Sequence, residues 1–515
     1  MTKKLCIILA LTLIILSFSS CGDRQGTVTT VNLSTLSDSY TITDSGTYDF
    51  SGKLTEGKIK VEADSDVTII LSGVEITNTD DEAIKIENDG KTEIRIADGS
   101  DNVLTGGGDA AINAKSSIKF TGGGFLSIVG STKHGIECDT DITITGGNIK
   151  INSYEHGIKS ESKIKVLGGN LDIYSETGKG IKAEKEFLAE DGSVTITTPQ
   201  NEGLESKGAL TINGGRFDIT AGEDGINAGT SDSATTTDEP VVSDNSNAIP
   251  NGGEGTGAIP PEGAQPEIIR PEGGFPMVGE GEQNNNGDEP SDNRPQRGKR
   301  PVMKGEITGE AEFDVPPEPV WSEPGLPMRQ KGQGGFGRVN EDSVITINGG
   351  YIRISCLGDG IDSNGSLSIN GGTVIIDGPN NSGNGPLDSD GEMIINGATV
   401  LTASAKGMTQ MPRSMTQGII TQNFETALKE GQEIVIMNTD KKIIAEHTVG
   451  KVCEMLIYTS PDVKMGSPYT IYVDGEEAAT VTASTSIGSV GGRGGMKPDG
   501  RIPMPKGEKA EITNE

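Results

Sequence analysis

A short phrase recurs along this chain and leaves few folds open to it. From Ile112 onward, a Gly-Ile or Gly-Leu step, a strand-like segment and a Gly-Gly pair return every 22 to 24 residues. The pivots are Ile112, Ile136, Ile158, Ile181, Leu204 and Ile226, then, after an interruption, Ile361 and Leu387. Only the first and last lack the preceding glycine, having Ala111 and Pro386 instead. A segment such as Ile142-Thr143-Ile144-Thr145-Gly146-Gly147 opens six residues after its pivot, and a second one such as Asn148-Ile149-Lys150-Ile151 follows. A period of this length marks a solenoid. Alternating apolar positions between Gly, Asn and Asp read as short strands joined by tight turns. One coil cannot bury its apolar face alone, whereas stacked coils build continuous ladders of inward Ile, Leu and Val. Glycine at the corners is expected to supply positive φ where the coil bends. A leucine-rich-repeat horseshoe has a similar period, but Ile and Val dominate here and helix-forming sequence is scarce. The expected fold is therefore all-β, a right-handed parallel β-helix.

A second ladder keeps the same register. Two residues after each pivot stands a small side chain: Ala114, Cys138, Ser160, Ala183, Ser206, Ala228, Ser363 and Ser389. An inward position beside a corner demands this on every coil, so Cys138 reads as a filler rather than a reactive thiol. Cys138, Cys356 and Cys453 have no regular spacing and make no disulfide framework.

Along the chain, residues 1–20 carry Lys3 and Lys4, an apolar run from Leu5 to Leu16, and Phe18-Ser19-Ser20 before Cys21. This resembles a bacterial lipoprotein signal peptide, with Cys21 lipidated and the mature protein membrane-anchored, extracytoplasmic and held at the cell surface. An ordinary secretory signal with an incidental cysteine is the alternative. Residues 21–45 form a tether and first strand, and 46–229 the β-helix coils, longer and irregular up to 108. The next segment is due near residue 232 yet begins at Ile345, so about 113 residues enter at one corner. That insertion, 230–340, is rich in Pro, Gly, Asn and Glu and is expected to be disordered. Its basic patch from Arg294 to Lys304 and its Trp321 read as spacer. Coils resume over 341–415, a small β cap at 416–486 covers the open end, and 487–515 reads as a disordered tail. The 32% hydrophobic content and 74 glycines suit a thin solenoid with such stretches. A net charge of −32 argues against a nucleic-acid partner, whose phosphates need a basic face.

The repeat also lines up candidate chemistry. Where the pivot points inward, its +1 neighbour points out and the −2 residue lies at the adjacent corner. The −2 column runs Glu82, Ala110, His134, His156, Lys179, Glu202, Asp224, Asp359, Gly385, and the +1 column Lys85, Asn113, Glu137, Lys159, Lys182, Glu205, Asn227, Asp362, Asp388. Oxygen-only groups on the later coils, Glu202, Glu205, Asp224, Asn227, Asp359, Asp362 and Asp388, suit Ca²⁺ bridging neighbouring coils, with a solvated acidic face as the alternative. Carboxylates one coil apart repel by about 1 kcal/mol even in bulk water. On the middle coils Glu137, Lys159, Lys182 and Glu205 form a self-neutralising ladder, or, in a sharper reading, Lys159 or Lys182 is a general base beside calcium. His134 and His156 are expected one above the other, and with Glu137 they are candidate ligand-binding residues. His447 carries no visible constellation. No Ser-His-Asp set, phosphate loop or CxxC pair is present.

With the coils laid out, the sequence resembles a bacterial family of extracellular carbohydrate-binding domain-containing proteins. The resemblance rests on Gly46-Thr47-Tyr48-Asp49-Phe50-Ser51-Gly52, on Val67 through Ile76, on the Asp-Gly-Ile steps at 224–226 and 359–361, and on the repeated Ile-Asn-Gly-Gly turns. It covers most of residues 30 to 405. It implies a calcium-binding parallel β-helix with a pectate-lyase-like fold and affinity for cellulose and acidic sugars. The Asp that the family places before Gly-Ile is His134, His156, Lys179 or Glu202 on the middle coils, which leaves the family's calcium positions only where Asp remains. Fold-level kinship with lyases does not carry activity. The chain thus reads as a surface-anchored lipoprotein binding polysaccharide, acidic or cellulosic, on a calcium-braced face. The competing readings are a lyase that cleaves uronic-acid polymers by β-elimination with a Lys base, and a structural or adhesive surface protein.

Overall fold

Every pivot side chain is fully buried: Ile112, Ile136, Ile158, Ile181, Leu204, Ile226, Ile361 and Leu387 are each 0% exposed. The computed structural model describes residues 27–229, 339–414 and 416–484. The expected signal at 1–20, the lipidation site Cys21, nearly all of the insertion at 230–340 and the tail at 487–515 lie outside the described residues. Within them the chain is a parallel β-solenoid. The only helical element among the described residues is the 3₁₀ turn Leu33–Thr35.

Three parallel ladders form the coil walls. The pivot strands make an 11-stranded sheet from Tyr40–Ile42 to Leu387–Ser389. Like residues stack in it, Ile136 on Ile158 and Ile158 on Ile181. The other two walls belong to one 23-stranded sheet. One of them stacks short strands such as Ile142–Ile144 on Lys163–Val166, and the other stacks six-residue strands such as Asn148–Ser153 on Asn170–Ser175. The early strands Gly46–Thr55 and Val67–Asn78 run through both walls unbroken, which is why the first coils look irregular in sequence. Register carries across the insertion: Leu210 pairs with Ile345, Arg216 with Tyr351 and Ile226 with Ile361. The inward ladders form one continuous core, each buried Ile or Leu worth roughly 1.5–3 kcal/mol against exposure.

The repeated glycines have two separate jobs. Those in the turns, such as Gly147 (φ 95°) and Gly215 (φ 87°), take the left-handed conformation that side chains resist. The turn glycines thus supply the positive φ expected where the coil bends, and those before the pivots serve another purpose. A Cβ on Gly203 would lie 2.3 Å from Ile219 Cγ2 and 2.7 Å from the Gly225 carbonyl oxygen. Close packing of the coil against its neighbour therefore requires the Gly-Ile step.

At the C-terminal end the strand Cys453–Thr459 pairs antiparallel with Thr399–Ser404 of the last coil and with Ile419–Leu428. The parallel stack ends there, and the edge it would otherwise expose is covered. A four-stranded antiparallel sheet follows, in the order Ile443–Thr448, Glu433–Met437, Pro468–Val473, Glu476–Thr482.

Candidate functional site

The outer side of the pivot sheet collects the titratable residues. At four −2 positions the side chain accepts the backbone N–H of the equivalent residue one coil on. His134 Nδ1 accepts from His156 at 3.2 Å and His156 Nδ1 from Lys179 at 3.0 Å. Asp224 Oδ1 accepts from Asp359 at 2.7 Å and Asp359 Oδ1 from Gly385 at 2.5 Å. Histidine and aspartate share the column because both offer an acceptor at the same reach.

The two imidazoles stack with centroids 5.0 Å apart and planes 11° from parallel. Burial lowers the pKa of both rings, and His156 falls to about 3 through burial, His134 and the nearby Lys182, Lys179 and Lys159. The rings are neutral at pH 7, with Nδ1 unprotonated. His134, His156 and Glu155 bring ligand atoms within 4.8 Å of one another. Cofacial rings point their lone pairs side by side instead of at a common centre, and both Nδ1 atoms are already occupied, so the trio is poorly shaped for a transition metal. Glu137 is committed as well, accepting from Lys159 Nζ at 2.7 Å and from Asn113 Nδ2 at 3.1 Å.

The middle coils are charge-balanced, but not by the simple +1 ladder. Lys159 pairs with Glu137 and also with Glu161 at 2.9 Å. Lys182 turns to Glu184 at 2.7 Å, two residues along its own strand face, and not to Glu205. Glu205 is met by Lys179 at 2.6 Å, which also holds Glu202 at 2.8 Å. A column-by-column reading misses this because Lys179 reaches across from −2 to +1. Burial works against the Lys159 ammonium, but Glu137 and Glu161 outweigh it and push its pKa up. Burial is likewise outweighed at Lys179 by Glu205 and Glu202. A lysine so held keeps its proton and is a weak general base.

One coil further on the balance fails. Asn227, Asp362 and Asp388 stack in register, flanked by Asp224 and Asp359. Among the described residues no lysine, arginine or histidine forms an ion pair with any of these four aspartates. Burial, then the neighbouring carboxylates Asp224, Asp359 and Asp388, lift Asp362 to about 8. Burial and Asp224 lift Asp359 to about 7, and Asp224 and Asp388 are also raised, chiefly by burial. The buried Asn227 Oδ1 has no hydrogen-bond partner, while its Nδ2 donates to Asp224 Oδ2 at 3.2 Å. Asp388 accepts from Ser389 N–H at 2.8 Å and from Gln410 Nε2. Clustered carboxylates with an orphaned amide oxygen are a donor set that fits a hard divalent cation. Glu202 and Glu205 lie beside this group and share the single ammonium of Lys179, each keeping a buried Oε2 with no hydrogen-bond partner.

Two constellations were not legible in the sequence. His447 Nε2 lies 2.8 Å from Asp377 Oδ1, which also accepts the Gly450 N–H at 3.0 Å, joining the cap to the last coils. On the six-residue-strand wall, Phe125 and Tyr174 stand 58% and 42% exposed, and Tyr154, just past the strand Asn148–Ser153, is 49% exposed. Cys138 is buried, its thiol donating to the Ser116 carbonyl at 3.3 Å and its pKa raised by burial, as suits an inert filler.

A family model described as carbohydrate-binding domain-containing protein matches residues 37–391. A carbohydrate-binding domain-containing protein of Acetivibrio thermocellus is 35% identical over 126 residues, 22% of this chain. The chain spans 44% of that relative's length. A solved polysaccharide lyase-like protein from C. thermocellum is 26% identical, with a TM-score of 0.35, over 39% of this chain and 90% of that one.

Proposed function

This chain belongs to the carbohydrate-binding domain-containing protein family, and we propose that it binds polysaccharide on the outer surface of a calcium-braced β-helix. The observation that carries the reading is the extent of the family match. Residues 37–391 take in all but the last strands of the coils and none of the cap, so the solenoid walls are the surfaces to consider.

Calcium is supported by the uncompensated acidic coil. Asp224, Asn227, Asp359, Asp362 and Asp388 would hold the ion, which would neutralise carboxylates that otherwise repel one another and tie adjacent coils together. The lyase alternative has less support. Lys159 is clamped between Glu137 and Glu161, and Lys182 is engaged by Glu184. Surface anchoring through a lipidated Cys21 completes the reading, with the solenoid held outside the cytoplasm.

The test is a panel of neutral and acidic polysaccharides offered to the purified protein, with thermal midpoints recorded in calcium and in chelator. Binding to at least one glycan and a midpoint that rises with calcium are expected. Failure to bind any glycan would sink the binding reading, a calcium-independent midpoint would remove the brace, and new ultraviolet absorbance from an unsaturated product would make the protein a lyase.

A further inference from the structure

A second surface, on a different wall from the aspartates, has the chemistry of a ligand site. The strands Phe125–Gly130, Asn148–Ser153, Asn170–Ser175, Ser193–Thr198, Arg216–Ala221 and Tyr351–Cys356 pair in register. Phe125, Asn148, Asn170, Ser193, Arg216 and Tyr351 therefore form one outward row. Five strand steps at ~4.8 Å make it roughly 24 Å long. Aromatic rings stand at both ends. Phe125 is 58% exposed, an unusual place for a residue that is normally buried, and the Arg216 guanidinium lies 4.7 Å from the Tyr351 ring centroid. Beside Phe125 an open cleft of about 530 Å³ is lined by Asn148, Lys150, Asn170, Asp172 and Ser193.

The polar groups narrow the occupant. Arg216 of the row is 3.7 Å from Asp218, and Lys150 of the neighbouring outward row is 3.5 Å from Asp172, so each has a carboxylate at hand. A polyanion would meet Asp172 and Asp218 beside these cations, on a chain whose net charge is −32. Asn170 Nδ2 donates to Asn148 Oδ1 at 2.8 Å, and Asn148 Nδ2 to the Gly123 carbonyl at 3.0 Å. These bonds hold both amides in place and leave the Asn170 Oδ1 and the Ser193 hydroxyl open at the surface. An added peptide strand needs an unpaired sheet edge, which this mid-ladder wall does not offer. The remaining fit is an uncharged chain with apolar ring faces and hydroxyl edges, repeating at about one strand spacing.

We propose that this row is a subsite for a neutral, extended hexose polysaccharide lying along the solenoid axis, with one sugar ring stacked on Phe125 and hydroxyls bonded to Asn170 and Ser193. The inference rests on the carbohydrate-binding reading above and gives it a place and a sugar class.

Calorimetric titration of the full chain with cellohexaose and, separately, with hexagalacturonate tests it, using wild type, Phe125→Ala, Phe125→Tyr and Asn170→Ala. Both altered side chains are exposed, and an unchanged thermal midpoint checks that the variants fold. The expected result is binding of cellohexaose over hexagalacturonate, weakened roughly threefold to tenfold by Phe125→Ala, weakened by Asn170→Ala and retained by Phe125→Tyr. If wild type binds cellohexaose and Phe125→Ala binds it equally well, the glycan lies elsewhere and the inference fails while the binding reading stands. Preference for hexagalacturonate overturns the neutral class. No binding of any glycan by wild type overturns both.

Discussion

On four coils the residue two before the pivot acts as a hydrogen-bond acceptor. His134, His156, Asp224 and Asp359 all take a backbone N–H from the coil above, so the identity at this column can change from coil to coil while the hydrogen bond persists. The choice matters for pH. His156 is depressed to about 3 in the fold against an ordinary value near 6.5, so the folded chain binds fewer protons than the unfolded chain between these limits. Its contribution to stability is present above about 6.5 and is lost as pH falls toward 3. The groups facing it include His134, Lys179, Lys182, Lys159 and Glu155. In His156→Asn the amide oxygen keeps an acceptor but cannot titrate. Urea unfolding from pH 7 to pH 4 should show wild type losing more stability than the variant. Gly203→Ala, which drives a Cβ against Ile219 and the Gly225 carbonyl, should cost about 1–3 kcal/mol by the same measurement.

Among elements, the cap depends on polar contacts that bridge distant parts of the sequence. Asp377 is 1% exposed, sits at the end of the strand Thr373–Asp377, and receives His447 and the Gly450 N–H. Lys451 Nζ donates to the Cys356 carbonyl at 2.6 Å nearby. Asp377→Ala leaves these donors unmet and should cost about 2–4 kcal/mol, with hydrogen exchange rising first in Cys453–Thr459 and the last coils. A solenoid transmits such damage mainly to its neighbours, so protection around Ile136 should change little. None of this was legible from sequence, because His447 and Asp377 are 70 positions apart and His447 lies in the cap, outside the repeat. The pivot strands, by contrast, were legible residue by residue, since every coil repeats the same burial demand.

For the whole molecule the balance of charge is local, although the sum is −32. Around Lys179 one ammonium is shared by Glu202 and Glu205, whereas the aspartates around Asp362 have no cation in an ion pair among the described residues. Asp362→Asn should raise the thermal midpoint of chelated protein at neutral pH, since burial beside other carboxylates forces Asp362 to take up a proton on folding and the amide escapes that cost, and should shrink the rise produced by calcium. An unchanged calcium response in this variant would mean that the ion binds elsewhere.

The sequence by itself determined the coil, its register, the inward ladders and the single corner at which 230–340 enters, because each follows from a period repeated many times over. It also placed the candidate columns, since outward and corner positions follow from the pivot. Only the tertiary structure decided which charges in those columns meet. Lys179 crosses from one column to serve Glu202 and Glu205, Lys182 turns along its own strand to Glu184, and Asp224, Asp359, Asp362 and Asp388 are left facing one another. The physical reason is reach. Backbone periodicity sets where each Cβ stands, whereas pairing and exposure depend on how far flexible side chains extend across neighbouring coils, and on small neighbours such as Asn148 that leave Phe125 standing in solvent.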